Sequence, residues 1–193
     1  MERTLFFALL VAIGVFSSIS AQSVVPKNQQ DTAYDAALRD FISFAIHSQR
    51  DFSDQFILED SVDGGGHFDF LSACLSDTAT FTPDERQQIQ AWAKHPAFRI
   101  WTKELAAHAR LIKKDTVEFA FSNRHRDGWE YFHAHFGRSF NTFSCPLFLR
   151  NYTWCIFYSA NHCGGLCGTG QLALYKKDGD HWVFVKDWGS WIS

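Results

Sequence analysis

The sequence lacks a cationic excess. Its 18 Lys and Arg stand against 21 Asp and Glu, for a formal charge of −3. A nucleic-acid surface needs clustered positive charge, so no nucleic-acid partner is expected. No long block of one sign occurs, which argues against a charged tail. No apolar run reaches the roughly 20 residues that span a bilayer, and no segment repeats. Two hydrolytic signatures are missing: the Gly-x-Ser-x-Gly elbow and the zinc-binding His-Glu-x-x-His. No second close cysteine pair accompanies Cys163 and Cys167, as the known zinc spacings would require. These absences leave no cofactor, metal or catalytic set to name.

What is present begins with an export pattern. Met1–Ala21 reads as a signal peptide: Arg3 near the start, an apolar run from Leu5 to Phe16 broken only by Gly14, then small residues up to Ala21. Cleavage after Ala21 would leave no transmembrane segment, and no cysteine stands there to carry a lipid. Residues 22–30 are polar and read as a flexible lead-in. Residues 31–193 suit one domain with one core. Aromatics make up 17% of the chain, with 20 Phe and 7 Trp, which points to a packed interior.

The patterning predicts an α+β fold, with N-terminal helices packed on a C-terminal antiparallel meander. Asp31 reads as a cap for a helix carrying Tyr34, Leu38, Phe41, Ile42 and Ala45 on one face. Phe56-Ile57-Leu58 reads as a short strand, and Asp63-Gly64-Gly65-Gly66 as a break. Thr82-Pro83-Asp84-Glu85 is a capping-box helix start, with Ile89, Trp92 and Ala93 inward. Phe98–Ile112 is expected to be a further helix and Val117–Phe121 a strand. Trp129, Phe132, His133 and Phe136 form a short helical stripe closed by Gly137. Strands are expected at Phe143–Leu149, Tyr152–Ser159, Gln171–Lys176 and Trp182–Asp187, with Asp178-Gly179 as the last hairpin turn.

Five cysteines permit two internal bridges. A three-residue loop at Leu149-Arg150-Asn151 would place Cys145 opposite Cys155, close enough to bridge. A two-residue loop would shift the register and set Cys145 against Ile156. Cys163 and Cys167 enclose Gly-Gly-Leu, and a bridge there would pin a turn that its glycines loosen. Cys74, among apolar neighbours, is then a buried, inert thiol.

The C-terminal third carries a composite pattern. It runs Trp129-x2-Phe132, Phe143-Ser144-x-Pro146-x-Phe148, Cys163-Gly164-x-Leu166-Cys167-Gly168-x-Gly170, Leu174-x-Lys176-x2-Gly179-x2-Trp182 and Trp191-Ile192-Ser193. Over about residues 129–193 this resembles a group of uncharacterised exported bacterial proteins. The resemblance implies a secreted or periplasmic setting and lends no activity.

Each candidate chemistry has a plainer reading. His162, Cys163 and Cys167 are adjacent and His181 lies on a neighbouring strand, but the spacing is not that of a zinc site. His133 and His135 point about 200° apart on a helix and cannot share a metal. Redox exchange favours two residues between the cysteines, and here there are three. His125 sits in the polar cluster Asn123–Asp127, which reads as an exposed loop. Gly164, Gly165, Gly168 and Gly170 could present N–H groups to an anion, but tight turns and positive φ explain them more simply. Asn151-Tyr152-Thr153 matches a glycosylation acceptor, relevant only in a eukaryotic secretory pathway.

The expected function is that of an exported, non-catalytic binding or structural module of the cell envelope. Its partner would be a protein, a glycan or a small ligand. The alternative is a hydrolase or metal-dependent enzyme with its site near residues 162–170, using His162 or His181.

Overall fold

In the computed structural model of the chain, residues 27–49, 55–63, 68–122 and 127–193 are described. The signal-peptide reading, most of the lead-in, Gly64–Gly66 and His125 with its neighbours Asn123, Arg124 and Arg126 lie outside the described residues. Among the described residues no helix is long and apolar enough to cross a membrane.

The fold is α+β. Its helices are α1 (Lys27–Ser48), α2 (Phe68–Ser76), α3 (Pro83–Lys94), α4 (Lys114–Ser122) and α5 (Gly128–His135). Its strands are β1 (Ile57–Glu59), β2 (Arg110–Ile112), β3 (Phe140–Phe143), β4 (Leu147–Leu149), β5 (Trp154–Gly164), β6 (Cys167–Asp178) and β7 (His181–Ile192). The sheet runs β2-β1-β3-β5-β6-β7, with β4 also on β5. It is mixed and not purely antiparallel as expected: β1 lies parallel to both β2 and β3.

One sheet face receives α1. Phe41 is fully buried and meets Phe157 and Trp182 at 5.0 Å each and Tyr175 at 5.4 Å between ring centres. Edge-on pairs of this kind add about 0.5–1.5 kcal/mol beyond their buried area. Asp40 fastens the helix by accepting from Lys177 Nζ at 2.8 Å and Trp182 Nε1 at 3.0 Å. Asp77, just past α2, repeats the device on the other face with Lys186 Nζ and Trp188 Nε1. That face carries Ile156, Leu172 and Leu174 against Phe81 and Ile89. Further along it, Ile57 and Phe140 pack with Val117 and Phe132 of α4 and α5.

Several expectations change. α1 begins at Lys27, ahead of Asp31, because nothing from Lys27 to Gln30 breaks a helix. Phe98–Ile112 is not a helix. Its backbone is taken by the β1 region instead, through Val62 N–H to Arg99 O at 2.9 Å, Trp101 N–H to Asp60 O at 2.7 Å and Arg110 N–H to Phe56 O at 2.8 Å. Those long-range bonds outweigh an apparent helical spacing in which Ile100 is in fact exposed. Val117–Phe121 is helical in α4, not a strand. Its buried pair is Val117 and Ala120, three apart, while Phe119 and Phe121 stay partly exposed and lean on the Tyr131 and Trp129 rings of α5. The Asp60 carboxylate accepts the Lys114 N–H at 2.9 Å and helps to start that helix.

The β4–β5 turn decides the cysteine pairing. Arg150, Asn151 and Tyr152 all adopt left-handed φ, at 51°, 54° and 61°. The loop is therefore four residues long, Leu149 pairs with Trp154, and Phe148 faces Cys155. The Cys145–Cys155 bridge is not formed: both are buried free thiols, as is Cys74. Tyr34 approaches Cys145 Sγ at 3.7 Å, and burial raises the pKa of both thiols. Three consecutive non-glycine residues with positive φ are costly and need external support. It comes from Arg150, which forks onto Glu85 at 2.7 and 3.1 Å, donates to Thr80 O at 2.8 Å and lies 3.9 Å over the Trp154 ring. Glu85 also completes the α3 capping box with Thr82, as the sequence predicts.

Candidate functional site

Side chains alternate along a strand, so every second residue of β5 shares a face. From Trp154 onward that series on the α1 side reads Cys155, Phe157, Ser159, Asn161. The first two are core. The next two are polar, and they begin where α1 ends. Their partners follow the same change. Cys155 and Phe157 pair with Tyr175 and Ala173, whereas Ser159 and Asn161 pair with Gln171 and Thr169. On β7, Ser190 pairs with Gln171 and Ile192 with Thr169.

Beyond the C-terminus of α1, the sheet thus carries a polar floor. It opens as a groove of about 720 Å³, bounded by Ser48 and Gln49 on one side and the β5–β6 hairpin on the other. Among the described residues no Asp, Glu, Lys, Arg or His side chain lines it. The floor is partly set in place from the neighbouring strands. Asn161 Nδ2 donates to Asn141 Oδ1 at 3.0 Å, and the buried Asn141 donates to Ile57 O at 3.0 Å. Gln171 Nε2 reaches the Tyr175 hydroxyl at 3.4 Å.

The hairpin itself is fixed by the Cys163–Cys167 disulfide, with Cα atoms 5.1 Å apart. Its two sulfurs are therefore not available as metal ligands. Leu166 projects from its tip, 93% exposed. The expectation of positive φ at Gly164, Gly165, Gly168 and Gly170 does not hold. Gly168 and Gly170 have a different cause: the Trp191 indole lies directly across them, leaving no room for a Cβ.

His162 is on the opposite face. Its ring stacks on Phe140 at 4.8 Å and lies 5.6 Å from Trp191, and its Nε2 is 3.5 Å from Thr142 Oγ1. Burial lowers its pKa, partly offset by the Asp63 carboxylate. Trp191 Nε1 donates to the Tyr158 hydroxyl at 3.0 Å, and burial raises the Tyr158 pKa. His181 is not brought to this place. It pairs with Asp178 at the far end of β6, whereas His162 pairs with Gly168 near its start. At about 3.4 Å per residue the two lie on the order of 30 Å apart. His133 and His135 diverge as a helix requires: one reaches Cys163 O at 3.3 Å and the other stacks on Tyr131 at 4.1 Å. Among the described residues no three His, Cys, Asp or Glu groups could hold a metal.

The groove residues escaped the sequence reading because they are isolated Ser, Thr, Asn and Gln within strands. The signal was available in the odd positions of β5, where the apolar series stops at Phe157. Asp63 beside Tyr158 and His162 had no signal, since a long stretch of chain separates them. No protein-family model, no curated protein and no solved structure matches this chain.

Proposed function

We propose that the protein is an exported, non-catalytic binding module of the cell envelope, with the uncharged groove over β5, β6 and β7 as its site. The observation that carries this reading is the groove, a small-molecule-sized concavity floored by positioned polar side chains. Supporting it, residues of α1 share one core cluster with residues of β5, β6 and β7, and a disulfide pins the hairpin. The secreted or periplasmic setting draws on the Met1–Ala21 pattern, on the disulfide and on the resemblance to exported bacterial proteins.

The test is thermal unfolding of the exported protein against fractionated envelope extract and defined small ligands. A ligand at a hundred times its Kd stabilises a one-site protein by about 2.7 kcal/mol. Amide shifts at Asn161 and Gln171 should accompany the stabilisation. Absence of both across all fractions refutes the reading. The N-terminal sequence of the exported form should begin at Gln22.

A second reading, hydrolysis or metal-assisted chemistry near residues 162–170, is favoured by His162. It is a half-buried imidazole acted on by the Asp63 carboxylate. That reading requires His162→Ala to abolish a turnover that the folded wild type performs, and undiminished turnover removes it.

A further inference from the structure

We infer that the groove takes a neutral saccharide, from one sugar to a short oligosaccharide; this rests on the binding-module reading above. Charge is the first argument. One residue in five of this chain is charged, yet among the described residues no charged side chain lines the groove. A phosphate or carboxylate placed there would lose hydration with no cationic side chain among the described lining residues to meet it, at a cost of several kcal/mol. Nucleotides and acidic peptides are therefore poor occupants.

Hydrogen-bonding type is the second argument. Asn161 on β5, Thr169 and Gln171 on β6, and Ser190 on β7 are all hydroxyls or amides, with the buried Ser159 behind them. Each can both donate and accept. A sugar hydroxyl has the same dual character, so a floor of such groups pairs with it in either sense. The array follows the sheet, with same-face neighbours about 6.8 Å apart along a strand and about 4.8 Å across strands. A ligand with one hydroxyl would use little of it, and a polyhydroxylated ring uses several points at once.

The rim supplies the complementary apolar contact. Ile192 is 84% exposed and Leu166 is 93% exposed, both at the groove. They offer surface to the C–H face of a pyranose. A peptide is a weaker match, because strand addition uses a free backbone edge and this floor is built of side chains on a sheet face. Rigidity helps any such ligand, since a floor fixed in advance costs little ordering on binding.

The experiment is titration of the full exported protein with neutral trisaccharides: maltotriose, cellotriose, xylotriose and tri-N-acetylchitotriose. Trigalacturonate and chitosan trimer serve as charged counterparts, and envelope extract is run alongside. The readouts are calorimetry and the amide shifts of Asn161 and Gln171. At least one neutral trisaccharide is expected to bind, with shifts centred on those two residues and on Thr169 and Ser190. Its charged counterpart should bind at least tenfold more weakly. Thr169→Val and Gln171→Leu, near-isosteric swaps checked for an unchanged circular dichroism spectrum, should each weaken binding about tenfold. Tighter binding of a charged trimer or a non-carbohydrate extract component at the same residues would overturn the saccharide class and leave the binding-module reading standing. Neutral-sugar shifts centred on Trp129 and His133, which lie outside the groove, would overturn the assignment to it. Silence from every probe and from the extract would overturn both.

Discussion

Glu85 is the point where a local helix signal and a long-range constraint meet, and replacing it by Gln separates them. Its side chain is 12% exposed and holds Arg150 through two contacts of 2.7 and 3.1 Å. Gln is an acceptable capping-box partner, so most of the Thr82 cap should survive. The charge-assisted fork is lost, and the new amide NH2 faces a guanidinium that also donates. Hydrogen bonds to charged groups contribute about 1.5–3 kcal/mol each. With the Arg150 side chain 36% exposed, water recovers part of that, and a net loss of about 2 kcal/mol is expected at pH 7. In a chain of this length that lowers Tm by about 4–8 °C. The sign of the pH dependence follows from Glu85 itself. Arg150 first, then the Thr82 bonds, hold its pKa down at about 2, against about 4.3 in an unfolded chain. A depressed folded pKa gives stability that is present above the unfolded value and is lost as pH falls toward the folded one. The gap between wild type and Glu85→Gln should therefore be full at pH 7 and close between about pH 4.5 and pH 2. Urea midpoints at pH 7, 5, 4, 3 and 2.5 measure it. Asp77 is held low in the same sense by Lys186, but it is common to both proteins and cancels in the difference. A gap that stays constant down to pH 2.5 would mean that the loss is packing and not charge. A gap below about 0.5 kcal/mol at pH 7 would mean that the ion pair contributes no more than an ordinary surface pair.

Three other outcomes are expected. Cys163→Ser opens a loop of sequence separation 4 and should cost about 2 kcal/mol by loop entropy, read as a lower urea midpoint than oxidised wild type and an unchanged one under reductant. Gly170→Ala places a methyl against the Trp191 indole and should cost about 1–3 kcal/mol, with a change in tryptophan emission. Alkylation should label no cysteine in the native protein and three after denaturation, because Cys74, Cys145 and Cys155 are buried and burial raises their pKa values. Rapid native labelling of any one of them would contradict that packing.

What the sequence made legible was local. The Thr82 capping box, the Asp178-Gly179 turn, the α5 stripe and the Cys163–Cys167 staple each depend on residues within a few positions of one another. What it hid was decided at a distance. The stretch after Pro96 has apolar residues at helical spacing, but its N–H groups are taken by Asp60 and Phe56, which no window around Trp101 contains. Val117–Phe121 alternates like a strand because two phenylalanines are exposed, and only the buried Val117–Ala120 pair shows the helical face. The Cys145 register failed on Arg150, whose left-handed backbone is held by Glu85 and Thr80, some 65 and 70 positions away. The groove followed the same rule. Its residues are unremarkable one by one, and they become a floor only when three strands align them.

The sheet's two kinds of pairing imply an order of assembly. β6 and β7 meet across a two-residue turn, and so do β5 and β6. Closing such loops costs little chain entropy. β1 has no such neighbour: Ile57 must find Arg110, and Leu58 must find Asn141, both in parallel. Contacts of that span are made late, because their entropic cost precedes their reward. The C-terminal hairpins should therefore be formed in the folding transition state and the β1–β2 edge should not. Truncating Leu172 should slow folding, while truncating Leu58 should chiefly hasten unfolding. The strands that carry the groove would then be the part of the molecule that organises everything N-terminal to them.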